Sequence, residues 1–186
     1  MSRFEIQGTP LAGVQVVCRK PLVDSRGDFT RIFCAGDLAE FLDERKVMQI
    51  NFTRTRESGV IRGIHFQRPP SAETKLVTCL RGEIWDVAVD LRRGSQTFLQ
   101  HHAEILSAGN SRALLIPEGV AHGFQTLSDD VEILYCHTAP YAAEAEGGLH
   151  PLDPKLGIPW PLPVRHLSDR DQAHPWIEND FRGITP

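Results

Sequence analysis

Between residues 59 and 76 the chain reads GVIRGIHFQRPPSAETKL, which sets Arg62, His65 and Lys75 among apolar residues in a stretch of mostly strand character. A buried charge is costly unless it is paired, so the stretch is either partly exposed or part of a site. The three side chains complement one another. Imidazoles titrate at about 6.5 in model peptides and can take up a proton near neutrality. A lysine supplies a compact positive charge, and an arginine offers a planar, multi-donor head suited to phosphates. Their ordinary fates compete with this reading: a strand histidine is commonly a hydrogen-bonded core residue, a lysine a surface group and an arginine half of an ion pair. Further along, in IPEGVAHGF, Pro117 and Gly119 make a turn that would deliver His122 from a strand. From Lys75 to Arg92 the chain alternates in part, with Ile84, Asp86, Ala88 and Asp90 on one face and Trp85, Val87 and Val89 on the other. Two acids on one face make it either solvent-facing or cavity-lining, and the pattern leaves both open.

The elements that must position these groups read as strands. GVQVVC, TRIFC, KLVTCLRGEIWDVAVDLR, AEILSA, RALLIP and VEILYCHTA have strand character, separated by turn signals such as RRGS, SAGN, PEG and LSDD. Their spacing predicts an all-β sandwich or barrel. One helix is predicted over residues 35–47, AGDLAEFLDERKV, where Leu38, Phe41 and Leu42 share a face. From about Gly147 prolines accumulate, so that segment can form few ladder bonds and is expected to wrap the β core. At 186 residues the chain is expected to form a single domain, with no internal repeat. It is 41% hydrophobic and 24% charged, as an ordinary globular protein is. Its net charge of −4 gives no electrostatic reason to expect nucleic acid as a partner. The opening residues lack a long apolar run, and nothing approaches membrane length, which predicts a cytoplasmic protein. Cys18, Cys34, Cys79 and Cys136 form no CxxC pair and are expected to be free thiols.

The spacing Pro117-x-Gly119-x-x-His122 resembles the second motif of cupins, which places a histidine in the mouth of a small β-barrel. The first cupin motif normally brings two histidines one residue apart and a later glutamate. Here that segment reads His65-Phe66-Gln67, so a three-histidine metal site is not expected, although His65 and His122 could contribute to one of another kind.

The resemblance then extends over nearly the entire chain. DSRGDF, SGVIRGIHFQRPP, KLVTCLRGEIWDVAVDLRRGSQTF, LIPEGVAHGFQTLSDD, ILYCHTAPY, LDPKLGIPWP and LSDRD, in that order, resemble the dTDP-4-dehydrorhamnose 3,5-epimerase family. This is a metal-free branch of the cupins acting on nucleotide-linked 4-keto-6-deoxy sugars. The resemblance implies an all-β cupin jelly roll with a few short helices and no cofactor. It also implies a homodimer in which exchanged N-terminal strands help line the neighbour's site. Epimerisation beside a ketone needs a base, a cation near the keto oxygen and an acid opposite the base. By resemblance His65 is the base, oriented by Asp171 with Asp169 as the competing aspartate, Lys75 is the cation, and Tyr135 is the proton donor. Tyr141 matches an aromatic that stacks on the nucleobase. Arg26, Arg62 and His122 match ligand-binding groups, with Arg62 as a structural ion-pair residue the alternative, and Gln49, Asn51 and Glu146 match further contacts.

Three departures concern specificity. Ile50 stands between Gln49 and Asn51 where the family usually has aspartate. Arg31, counted with Arg26 among the candidate substrate-binding residues, stands in the expected nucleotide region where the family usually has glutamate. Cys136 and His137 replace a common lysine-containing pattern, with Pro140 just before Tyr141. None touches the acid, base or cation, but they leave the nucleotide and the sugar open. An epimerase of C3 or C5 alone, a non-catalytic nucleotide-sugar-binding cupin and a metal-dependent cupin are the competing functional readings.

Overall fold

The computed structural model describes residues 2–43 and 45–185. In chain order the strands are β1 (Phe4–Gly8), β2 (Gln15–Arg19), β3 (Leu22–Asp24), β4 (Gly27–Phe29), β5 (Gln49–Thr55), β6 (Ile61–Gln67) and β7 (Lys75–Arg81). They continue as β8 (Glu83–Asp90), β9 (His101–Ser107), β10 (Arg112–Ile116), β11 (Val120–Thr126), β12 (Val131–His137) and β13 (Glu146–Gly148). The described helices are α1 (Ala35–Leu38), a 3-10 turn over Ala39–Leu42 and α2 (Asp169–Gln172).

Two antiparallel sheets face each other, ordered β1-β2-β10-β7-β12-β5 and β13-β6-β11-β8-β9, while β3 and β4 form a separate hairpin. This is the expected all-β jelly roll. Inward-pointing side chains make the core: Val77, Cys79, Leu114 and Ile116 from one sheet meet Ile84, Ala88 and Phe124 from the other. Each such large apolar side chain contributes about 1.5–3 kcal/mol when taken out of water. The run from Lys75 to Arg92 is not one strand. Gly82, at φ +75°, breaks it so that β7 joins the first sheet and β8 the second.

β8 is buried on both faces because residues 149–185 cover the outside of its sheet. Leu149, Leu156, Ile177 and Ile184 pack on Val87 and Val89, and Trp160 meets Trp85 edge-on with ring centroids 5.5 Å apart. Bridges Val60 to His166 and Arg92 to Ile184 tie this layer down. The face carrying Asp86 and Asp90 is therefore interior, and both acids are fully buried. Burial pushes the Asp90 carboxyl up, but hydrogen bonds from Arg92, Ser95 and Thr97 outweigh it and hold it far below the ordinary range.

Two local expectations are corrected. TRIFC (30–34) is not a strand: the Ile32 carbonyl is satisfied by the Arg19 guanidinium at 3.3 Å, so a side chain takes the place of a neighbouring strand. The helix expected over 35–47 ends after the 3-10 turn, where Asp43 adopts a left-handed conformation at φ 51°. Leu38 and Leu42 are already seated against Phe4, Val17 and Leu76 by then, so two short turns bury the predicted apolar face. Glu44, within the predicted helix, lies outside the described residues. All four cysteines are free, and burial pushes the Cys79 thiol up to about 11.

Candidate active site

Both sheets line a cavity of about 460 Å³, and strand register decides which side chains share it. Pairing of β6 with β11 sets His65 opposite His122 on one wall. On the other wall, pairing of β12 with its neighbours sets His137 beside Lys75 and Tyr135 beside Asn51. α2 brings Asp171 in from the covering layer, its first turn capped by Ser168, whose hydroxyl accepts the Asp171 amide at 3.1 Å.

His65 Nε2 lies 2.6 Å from Asp171 Oδ1. Burial opposes ionisation of Asp171, but hydrogen bonds from His65 and Ser168 prevail and hold its carboxyl below the ordinary range. An ionised carboxylate can only accept, so Nε2 carries a proton, and in the neutral ring the lone pair lies on Nδ1. Among the described residues nothing in the protein engages that Nδ1, and the ring borders the cavity. Asp169, the competing aspartate, is exposed. His122 Nε2 sits 2.7 Å from the fully buried Asp86 Oδ1.

The facing wall is built differently. The Tyr135 hydroxyl lies 3.3 Å from Thr53 Oγ1, and its burial pushes the phenol well above its usual value, so it keeps its proton across the working range. Lys75 Nζ is 3.0 Å from Glu73 Oε1, and the other oxygen of Glu73 accepts from His137 Nδ1 at 2.8 Å. Burial pushes the Glu73 carboxyl up, but these two partners hold it below the ordinary range. Arg62 donates to Thr55 Oγ1 at 3.2 Å and has no ion-pair partner among the described residues, so its guanidinium is available to a ligand.

The rim is a hydrogen-bonded chain. Gln49 donates to Asn51 at 3.0 Å and accepts from the Tyr141 amide at 2.9 Å, and the Tyr141 hydroxyl donates to Glu146 at 2.8 Å. Glu146 also pairs with Arg170, and the Tyr141 ring is left exposed. Of the residues singled out in the sequence, His65, Lys75, Tyr135, Asp171, Gln49, Asn51, Arg62, His122, Tyr141 and Glu146 line this one cavity. Arg26 and Arg31 do not. Arg26 pairs with Asp24 at 2.5 Å on the exposed β3–β4 hairpin, and Arg31 lies 3.9 Å from Asp37.

Sequence reasoning missed Glu73, Thr53 and Arg170, and the role of Asp86. Glu73 was detectable, because it stands two residues before Lys75 and extended chain puts both on one face. Thr53 carried no signal of its own.

The arrangement can remove a proton at one wall, hold negative charge near Lys75 and deliver a proton from the other wall. A family model described as dTDP-4-dehydrorhamnose 3,5-epimerase matches residues 8–179. A Sinorhizobium fredii protein of that name is 39% identical over 176 residues, covering 94% of this chain and 90% of the relative. A Streptomyces niveus dTDP-4-dehydrorhamnose 3-epimerase is 37% identical over 163 residues, covering 87% of this chain and 78% of the relative. The crystal structure of a dTDP-6-deoxy-D-glucose-3,5-epimerase from Legionella pneumophila, in complex with dTDP-4-keto-L-rhamnose, superposes with a TM-score of 0.90 at 38% identity, covering 98% of this chain and 99% of that one. A cavity walled by His65 and His122 on one side and Lys75 and Tyr135 on the other thus sits in a chain similar to these enzymes along nearly its full length, and the chain belongs to the dTDP-4-dehydrorhamnose 3,5-epimerase family of isomerases.

Proposed function

We propose that this protein converts dTDP-4-dehydro-6-deoxy-D-glucose to dTDP-4-dehydro-L-rhamnose by inverting C3 and C5 in turn. The observation that carries the reading is the placement of His65 and Tyr135 on opposite walls of one cavity, with Lys75 on the Tyr135 side. His65 Nδ1 takes the proton from the carbon next to the ketone, and the C–H electron pair moves to form an enolate whose charge collects on the C4 oxygen. Lys75, held in place by Glu73, meets that charge, a preorganised contact that mutagenesis elsewhere values at about 3–4 kcal/mol. Tyr135 then gives its proton to the opposite face of the carbon. Arg62 and His122 bind the substrate, Tyr141 stacks on the base, and Gln49, Asn51 and Glu146 hold it at the rim.

The same reading makes the protein a homodimer working in the cytoplasm. Leu22, Val23 and Phe29 on the β3–β4 hairpin are exposed, as are Met48, Ile50 and Phe52 at the edge strand β5. A second copy covering them would bring Arg26, and Arg31 nearby, toward the neighbour's cavity. Light scattering that returns a monomer at working concentration would end this part of the reading. No described helix is long and apolar enough to cross a membrane.

Incubation with the dTDP-linked keto sugar in deuterated water, beside the CDP-, GDP- and UDP-linked sugars, tests the function. Deuterium at C3 and C5 with a product of inverted configuration is the expected outcome. Binding without exchange would leave only a nucleotide-sugar-binding protein. Label at one carbon would favour a mono-epimerase, a second reading supported by the similarity to the 3-epimerase of Streptomyces niveus.

A further inference from the structure

Behind His65, on the side away from the cavity, stands a histidine that the proposed reaction does not use. His174 follows Asp171 by three residues, just past the end of α2, and the chain there turns its ring toward both Asp171 and His65. Its Nε2 lies 3.8 Å from Asp171 Oδ1 and is buried without a hydrogen-bond partner. Its ring meets the His65 ring edge-on, with centroids 5.4 Å apart. The place is made for it: Gly148 pairs with His65 across the β13–β6 ladder, and a Cβ at Gly148 would lie 2.3 Å from the His174 ring. Only a residue without a side chain lets the second imidazole close in on the first.

His65, Asp171 and His174 each offer one ligand atom, and the three atoms lie within 4.8 Å of one another. Two imidazoles and one carboxylate, with a position left for water, form a donor set that suits zinc and other divalent transition metals. Bonds of about 2 Å to each atom require the His65–Asp171 contact to open by a fraction of an ångström. A surface groove bordered by His174, Gly148 and Arg170 runs beside the cluster at the His174 end, and the charge of Arg170 is offset by its pairing with Glu146.

We propose that His65, Asp171 and His174 form a capture site for a divalent transition-metal ion, and that occupancy switches the base off. The switch follows from proton bookkeeping on one ring. The ion takes the lone pair at His65 Nε2, the proton formerly there moves to Nδ1, and no proton leaves the protein. Nδ1 is the atom the proposed reaction needs bare, so the loaded imidazole cannot accept a proton from sugar. The inhibitory consequence rests on the epimerase reading, whereas the binding does not.

The test is calorimetric titration of zinc into the chelator-treated full chain without substrate, repeated on His174→Ala and on the polar variant His174→Gln. The expected result is one ion per chain, with affinity at least tenfold weaker in both variants and circular dichroism unchanged. Undiminished zinc affinity in folded His174→Ala would overturn the site. Cobalt offers a second readout, since a visible band typical of four-coordinate geometry should arise in the parent and be lost in the variants. Epimerase activity of the parent should fall with the same midpoint as binding and return with chelator, while the residual activity of His174→Ala resists zinc. Zinc binding at His174 with undisturbed turnover would overturn the switch. Failure of zinc binding leaves the epimerase reading standing, and absence of epimerase activity leaves the titration interpretable.

Discussion

The two walls of the cavity solve the same problem in opposite ways. On the β6–β11 wall each histidine is hydrogen-bonded to a buried carboxylate, Asp171 for His65 and Asp86 for His122, so each ring has one nitrogen anchored, with no hydrogen bond to the other among the described residues. On the β7–β12 wall the Tyr135 phenol has, among the described residues, only a neutral hydrogen-bond neighbour, Thr53, and Lys75 shares one carboxylate with His137. A histidine backed by an anion is disposed to accept a proton. A buried phenol without an anionic hydrogen-bond partner keeps its own until something more basic, such as an enolate carbon, claims it. The asymmetry lies in the partners as much as in the side chains they hold.

If the walls divide the labour in this way, damage to each should leave a different trace. The largest effect belongs to His65→Ala, which should lower solvent exchange at both carbons by about 10³-fold or more while the melting temperature stays close to that of the parent. Tyr135→Phe should lower inversion by about 10²-fold or more yet leave measurable exchange, because the base wall is intact. Equal loss of exchange, followed by mass spectrometry, and of inversion, followed by NMR of the product, would erase the proposed distinction in this variant.

The smallest effect tests the shared carboxylate. Glu73→Gln should cost about 1–3 kcal/mol in denaturant unfolding at neutral pH. Because the folded Glu73 carboxyl titrates below its unfolded value of about 4.3, its contribution is complete above that value. It is lost as pH falls through the lowered folded value, so parent and variant should converge on acidification. A gap that persists unchanged into acid would mean that the pairing with Lys75 and His137 is not its source.

The β6–β11 wall was the more legible in sequence, because its histidines sit in apolar strands with recognisable turns beside them. The partner Asp171 could be told from Asp169 only by resemblance, since two acids in LSDRD differ by where α2 turns them. β5 escaped notice for a physical reason: QINFTRT leaves Ile50 and Phe52 exposed, so its pattern lacks the buried alternation that marks a strand. TRIFC misled in the other direction, having strand composition but a backbone satisfied by Arg19. Gly148 and His174 were invisible, because their meaning depends on a cross-strand register that no local pattern encodes.

The covering layer has an optical consequence. All three tryptophans belong to it or touch it: Trp160 against Trp85, and Trp176 stacked on His150 with centroids 3.9 Å apart. None is in the core between the sheets. Tryptophan emission is therefore blind to the barrel interior and reports the fastening of its outer coat, so a thermal melt followed by that emission and one followed by far-ultraviolet dichroism watch two different seams of the same molecule.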